Sequence, residues 1–462
     1  MAIQTTISPI DGRVCVEREL ADAATIQATL ERARTAQRAW RGVPIAERVA
    51  LVGRFIAAME AERDRIAEEI TRQMGRPVAQ SPFELRGFAE RARYMAGIAE
   101  DALADLRFTD QPGFTRFIRR EPLGVVFTIA PWNYPVLTAV NSVVPAILAG
   151  NAVILKHSAQ TPLVAERFAD AFRAAGLPEG VFQVLHLAHE DTLAIIRKGE
   201  VNHVVFTGSV AAGHEIARAA GETFIATTLE LGGKDPAYVR ADADLPFAIE
   251  NVGDGAFFNS GQCCCGIERV YVAAPIYDRF VEGLKAFAEG YRLGDPLDPE
   301  TNLGPMARLR TAEAVRDQID EALAKGARAL VDTRRFNRDA RGSNYLAPQV
   351  LVDVDHSMSV MMEESFGPVV GVMKVESDDE AVRLMNDSPY GLTASVWTRD
   401  EAAAQAIAER IETGTCYMNR CDYLDPALVW TGVKDSGRGV SLSRLAYEHL
   451  TRPKSFHFRR PS

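Results

Sequence analysis

The sequence predicts an α/β protein of two stacked, doubly wound domains with a small β element beside them. Two observations carry this. From about Gly124 to Pro236, and again from about Ala237 to Thr431, short apolar runs alternate with helical ones, the pattern of parallel sheets covered by helices on both faces. The chain has 462 residues, 47% of them hydrophobic, and a single core stops growing at roughly 250–300 residues, so more than one core is expected.

Taken in order, Asp22 to about Leu106 reads as helices rich in Ala, Glu and Arg, broken at Val43-Pro44, Gly75-Arg76-Pro77 and Ser81-Pro82. No chemistry is visible there. Phe108 to Arg120 is β-like around the turn Gln111-Pro112-Gly113 and predicts a projecting hairpin. Strands are then expected at Val125 to Ala130, Ala152 to Leu155, Val181 to Leu185, Val204 to Thr207 and Thr228 to Leu231. Helices are expected between them at Leu137 to Leu148, Pro162 to Ala175, Glu190 to Lys198 and Val210 to Ala220. In the second region the strands are Arg269 to Val272, Val369 to Val375 and Ala394 to Trp397. Its helices are Ile276 to Glu289, Thr311 to Lys325, Asp379 to Asn386 and Glu401 to Ile411. Pro453 to Arg459 alternates like an edge strand and has no obvious partner, which leaves the hairpin or another subunit to pair with it.

The net charge of −10 argues against a nucleic-acid partner, which would want a basic face. The N-terminus has no basic start followed by an apolar core, and no apolar run approaches a membrane span, so the expected location is the cytoplasm.

Four segments bear on chemistry. Phe206-Thr207-Gly208-Ser209-Val210-Ala211-Ala212-Gly213 joins a strand to a helix, where unpaired N–H groups and the positive end of the helix dipole suit a phosphate. Its G-x-x-x-x-G spacing is not the common dinucleotide fingerprint, so a purely structural turn remains an alternative. Lys156 and Ser158 follow another strand. Glu230, between two leucines at a strand end, is either a general base raised by burial or a buried partner of some donor. Asn133, in Pro131-Trp132-Asn133-Tyr134-Pro135, is either an oxyanion donor or a turn cap. The fourth is Asn259-Ser260-Gly261-Gln262-Cys263-Cys264-Cys265-Gly266, three thiols in a row. Adjacent residues are expected to project in different directions and so not to wrap one tetrahedral metal, and no metal is predicted. A packed element or a nucleophile remains.

In their combination these segments resemble the aldehyde dehydrogenase superfamily over essentially the whole chain. Asn259, Gly261, Gln262 and Cys264 match its N-x-G-Q-x-C pattern, and Glu230 to Lys234 match E-L-G-G-K. Asn133 falls in the P-W-N block, and Glu364 and Phe366 fall in the E-x-F-G-P block. Asn386 to Leu392 and Lys434 to Gly437 complete the set. The resemblance implies a Rossmann-like cofactor domain (1–106 and 124–236), a catalytic domain (237–432), and an oligomerisation element (107–123 and 445–462) serving a homodimer or homotetramer. It implies that Cys264 attacks an aldehyde and that Asn133 and the Cys264 N–H meet the oxyanion. Glu230 then activates water on the thioester, leaving the free acid. NAD or NADP would be bound by Ile129, Trp132, Lys156, Ser158, Ala159, Gly208, Ser209, Gly213, Leu231, Gly232, Glu364 and Phe366. The alternatives are a version acylating coenzyme A, a non-catalytic protein on the same fold, and a cysteine hydrolase.

Two departures from the family pattern matter. Ala159 stands where relatives carry a ribose-binding glutamate, which removes a clash with a 2′-phosphate and predicts use of both cofactors. The C-terminal motif is altered from Val429 to Val440. By family position Tyr134, Leu137, Thr138, Asn141, Phe258, Leu424 and Trp430 line the substrate tunnel, with Cys263 and Cys265 as pocket or packing neighbours. That lining suits a medium-sized aromatic or hydroxylated aldehyde. Arg420 with Tyr423 is an alternative reader of a semialdehyde carboxylate, against pairing of Arg420 with Asp422 or Asp425.

Overall fold

The computed structural model describes residues 2–109 and 111–460. Position 110 of the expected hairpin, position 1 of the first domain and positions 461–462 of the C-terminal element lie outside the described residues.

The first sheet holds five parallel strands. From one edge they are Ala226–Glu230, His203–Thr207, Val125–Ala130, Ala152–His157 and Phe182–Val184. Chain order reverses between Val125–Ala130 and His203–Thr207. Such a switch point opens a crevice at the carboxyl ends of the strands, and Asn133, Ser158, Gly208 and Glu230 all sit just at or beyond those ends. Every residue of Val125–Ala130 is buried, as expected of a central strand covered on both faces by helices.

The second sheet runs Arg328–Ala329, Gln349–Val352, Val369–Val375, Ile267–Ala273, Asp235–Val239, Thr393–Trp397 and Thr415–Met418, parallel except for the first strand. Asp235–Val239, Gln349–Val352 and Thr415–Met418 are strands beyond those expected, and the first opens on Asp-Pro, a pair that argues against a central strand. Pro236 is accommodated because the register with Ile267–Ala273 shifts between Asp235 and Pro236.

The C-terminal strand finds its partner within the chain. Thr451–Arg459 pairs antiparallel along the whole of Phe114–Pro122, and Phe456 stacks on Phe117 with ring centroids 4.5 Å apart. The turn is as expected, with the Phe114 N–H on the Gln111 carbonyl at 3.0 Å. The N-terminal strands Ile3–Ile7 and Val14–Glu19 form a further hairpin that the helical reading did not include. A second late segment, Gly437–Arg438, adds an antiparallel strand to the free edge of Ala226–Glu230. Among the described residues no helix is long and apolar enough to cross a membrane.

Candidate active site

The helix Leu245–Phe257 delivers the chain into a tight turn, Phe258–Gly261, where Asn259 and Ser260 adopt left-handed backbone with φ of 53° and 56°. Gly261 follows at φ 68°, and a Cβ there would lie 2.2 Å from the Gly367 carbonyl, so only glycine fits. The Asn259 amide donates to the Asn133 and Gln262 carbonyls at 3.4 and 3.3 Å, and the Gln262 side chain accepts from the Ala307 N–H at 2.8 Å. These bonds fix the turn against both halves of the molecule.

A second turn follows at once, closed by the Gly266 N–H on the Cys263 carbonyl at 3.2 Å. It overturns the expectation that the three thiols diverge. Because the chain folds back instead of extending, the Cys263, Cys264 and Cys265 sulfurs all lie within 4.8 Å of one another, and those of Cys263 and Cys265 are 3.5 Å apart. Both outer thiols donate to Asp422 Oδ1, at 3.1 and 3.0 Å. Beside these two thiols the Cys264 thiol is brought down to about 6, while Cys263 is pushed up to about 12.

Glu230 ends its strand buried, with Thr207 Oγ1 donating to Oε2 at 3.1 Å and Ser441 donating to Oε1. Burial raises its carboxyl above the ordinary range, and the two hydroxyls oppose that. Asn133 is buried, and its amide donates to the Gln262 carbonyl at 3.3 Å, beside the cysteine turn.

The helical region expected to hold no chemistry supplies much of the site's frame. Arg76, fully buried, donates to the Asn133 carbonyl, to Asn259 Oδ1 at 3.1 Å and to Glu84, and its guanidinium lies 4.5 Å from the Tyr134 ring centroid. Glu84 in turn accepts the Val136 and Leu137 N–H groups at 2.6 and 3.1 Å, capping the helix Pro135–Leu148 with a carboxylate. Arg76-Pro77 reads as a helix breaker in sequence, and nothing local announces that its side chain is buried.

A cavity of about 400 Å³ joins these parts. Tyr134, Leu137, Thr138, Asn141, Phe258, Cys263, Cys265, Leu424 and Trp430 all line it, together with Cys264, Glu230 and Thr207. Arg91, from the helix Ser81–Ala102, lines it too. One of its terminal nitrogens is held by the Leu137 carbonyl at 3.0 Å and Asn141 Oδ1 at 3.2 Å, and no carboxylate pairs with it among the described residues. The buried Tyr134 hydroxyl has no hydrogen-bond partner among the described residues. Arg420 is not in this wall. Its guanidinium stacks 3.6 Å from the Tyr423 ring centroid, and it forms no ion pair with Asp422 or Asp425 among the described residues.

Across the crevice, Ser209 caps the helix Val210–Ala220, its hydroxyl accepting from the Ala212 N–H at 3.4 Å. At Gly213 a Cβ would meet the Leu231 side chain at 2.6 Å, so glycine lets this helix close on the strand end. Lys156 and Arg308 stand in the same region as cations with no carboxylate partner among the described residues. Burial pushes both side chains below their ordinary values, and Arg308 also lowers Lys156. Trp132 packs edge-on to Phe366 at 5.6 Å. Lys234, fully buried, pairs with Glu268 at 2.5 Å, and Glu268 accepts the Ser365 and Phe366 N–H groups at 2.8 and 2.9 Å. That pair sets the loop carrying Glu364, whose carboxyl burial raises to about 8 and which accepts from the Gly233 N–H at 3.3 Å.

A sequence profile described as the aldehyde dehydrogenase family matches residues 2–456. The chain belongs to that family. As an aldehyde dehydrogenase it is similar to succinate-semialdehyde dehydrogenase [NADP(+)] 1 of Mycobacterium tuberculosis, 34% identical over 95% of this chain and 96% of that protein. It is likewise similar to the succinate semialdehyde dehydrogenase [NAD(P)+] of Escherichia coli, 35% identical over 95% and 94%. Among solved structures, the succinic semialdehyde dehydrogenase of Streptococcus pyogenes, in complex with NADP+, superposes with a TM-score of 0.94 at 29% identity, covering 99% of this chain and all of that one (100%). The protein is an NAD(P)-dependent oxidoreductase that converts an aldehyde to a carboxylic acid. The crevice fits that cofactor. Two cations with no carboxylate partner among the described residues and a helix N-terminus would suit a dianionic bridge, and a Cβ on Gly232 would strike Glu364 at 2.4 Å, so the backbone there stays open to close approach.

Proposed function

We propose that Cys264, Glu230 and Asn133 perform the oxidation and that the substrate is a short aldehyde with a carboxylate at its far end, of the succinate-semialdehyde class. The observation that carries the substrate reading is Arg91, a guanidinium with no direct ion-pair partner among the described residues, in the wall of the cavity that holds Cys264. The names of the Mycobacterium and Escherichia relatives support it. An aldehyde whose carboxylate meets Arg91 and the free Tyr134 hydroxyl is anchored at one end, with its carbonyl left for the sulfur.

In this reading the Cys264 thiolate attacks the carbonyl carbon, and the Asn133 amide and Cys264 N–H stabilise the oxyanion. Lys156, Ser158, Ser209 and Arg308 would hold the phosphates and ribose of the cofactor, while Glu364 and Phe366 would hold its nicotinamide end. When bound, the nicotinamide supplies the hydride acceptor. Glu230 then takes a proton from water, which attacks the Cys264 thioester and releases the acid. Residues 1–106 with 124–236 form the cofactor domain in this account, and 237–432 form the catalytic domain. The small element of 107–123 and 445–462 joins subunits of a homodimer or homotetramer in this account, supported by the exposed Phe108 and Phe458.

Replacing Arg91 by methionine keeps the stem and removes the charge. It is expected to lower kcat/KM for succinate semialdehyde about 10- to 150-fold, as losing a charged hydrogen bond does, and to leave butanal oxidation within about threefold. Equal effects on both aldehydes would refute the assignment. Ala159 leads to a second expectation, that kcat/KM values for NAD and NADP lie within about a hundredfold of each other, or about 2.7 kcal/mol. A larger preference for NAD would show that the missing carboxylate is not what sets cofactor choice.

A further inference from the structure

The triple cysteine turn has a property that aldehyde oxidation does not use. One nucleophile is enough for the chemistry, yet three sulfurs converge to within 4.8 Å, and the carboxylate of Asp422 stands 3.1 and 3.0 Å from two of them. Four-coordinate zinc with thiolate ligands has metal–sulfur bonds of about 2.3 Å, which makes the sulfur–sulfur edges about 3.8 Å. The observed Cys263–Cys265 separation of 3.5 Å and the 4.8 Å outer limit bracket that edge. Small side-chain rotations are therefore enough to enclose an ion. The cluster also lies on the wall of the cavity through which an aldehyde reaches Cys264, so a hydrated cation has a route to it.

We infer that Cys263, Cys264, Cys265 and Asp422 form a binding site for one soft divalent cation, Zn²⁺ or Cd²⁺, whose occupancy switches the enzyme off. Soft thiolates select such ions over Mg²⁺ or Ca²⁺, and the carboxylate completes a tetrahedral set. Each thiol that becomes a ligand releases its proton to solvent, and no oxidant or reductant is involved. Occupancy ties up the sulfur of Cys264, and removing the ion restores it. Loss of activity on binding rests on Cys264 being the nucleophile, whereas binding itself does not, so the two are read separately.

The test titrates the full-length enzyme with Cd²⁺ and follows thiolate-to-metal charge-transfer absorbance in the near ultraviolet. One equivalent per chain is expected, with an apparent Kd at or below about 1 µM. With Zn²⁺, NAD(P)-dependent oxidation should fall in step with occupancy and return on adding EDTA. Alkylation mapped by mass spectrometry should show Cys263, Cys264 and Cys265 all protected by Zn²⁺, while the exposed Cys15 stays reactive. A variant with both Cys263→Ser and Cys265→Ser should bind Cd²⁺ at least about a hundredfold more weakly. Protection of Cys264 alone, unchanged Cd²⁺ affinity in the double variant, or binding only at millimolar concentration would each overturn the site. Binding as described without loss of oxidation would keep the metal site and remove Cys264 from the nucleophile's role.

Discussion

Replacing Cys264 by alanine is expected to reduce aldehyde oxidation by at least about 10⁴-fold in kcat/KM, about 5.5 kcal/mol of transition-state stabilisation, because no other group in the cavity can form the acyl bond. Cys263 and Cys265 are poor substitutes. Cys263 is raised to about 12 and Cys265 is raised as well, and both thiols point at Asp422, so neither offers a thiolate near neutral pH. Calorimetric binding of NAD and NADP should stay within about twofold, since the crevice that fits the cofactor draws its contacts from other segments. A variant that keeps more than about one hundredth of the activity would move the nucleophile elsewhere.

Glu230→Gln separates the two halves of the reaction. Acylation does not need the base once the thiol is already a thiolate, and Cys264 is held down to about 6, so rapid mixing should still show a burst of reduced cofactor close to one equivalent per chain. Steady turnover should then fall about 10²- to 10⁴-fold as the thioester waits for water. The pH response gives a second reading. Burial raises the Glu230 carboxyl, so its basic form, and with it hydrolysis in the native enzyme, grows as pH rises through that raised value, whereas the glutamine variant should lack that limb. Loss of the burst along with turnover would place Glu230 in activation of the thiol instead. Analysis of the product as free acid or coenzyme A thioester checks the outcome independently.

What could be read in the sequence and what could not divide along physical lines. The strand Val125–Ala130 and the helix Val210–Ala220 were legible to the residue, because apolar runs between turn-forming residues express local preference and burial together. The turn before the three cysteines was legible as a motif, since Gly261 and Asn259 are demanded by backbone geometry on the spot. Arg76, Glu84 and Arg91 were not. Their roles come from tertiary contacts with Asn133, Val136 and Asn141, and a charged residue on an Ala-rich helix looks solvated until its neighbours are known. Ser441 was hidden for the same reason, being 211 positions from the carboxylate it touches. The convergence of the cysteines has no sequence signal, because adjacent side chains diverge on an extended chain and meet only where the backbone doubles back, as it does here.

The strand Gly437–Arg438 has a consequence for biosynthesis. It covers the edge of Ala226–Glu230, and Ser441 just beyond it reaches Glu230. At the moment the ribosome has produced the whole parallel sheet, that sheet still has a bare edge and its Glu230 carboxylate has the Thr207 hydroxyl but not yet that of Ser441. More than two hundred residues must emerge before both are satisfied. Folding of this half is thus finished by residues made more than two hundred positions later, and a nascent chain stalled before residue 437 would display an unpaired strand edge, a state that chaperones would recognise.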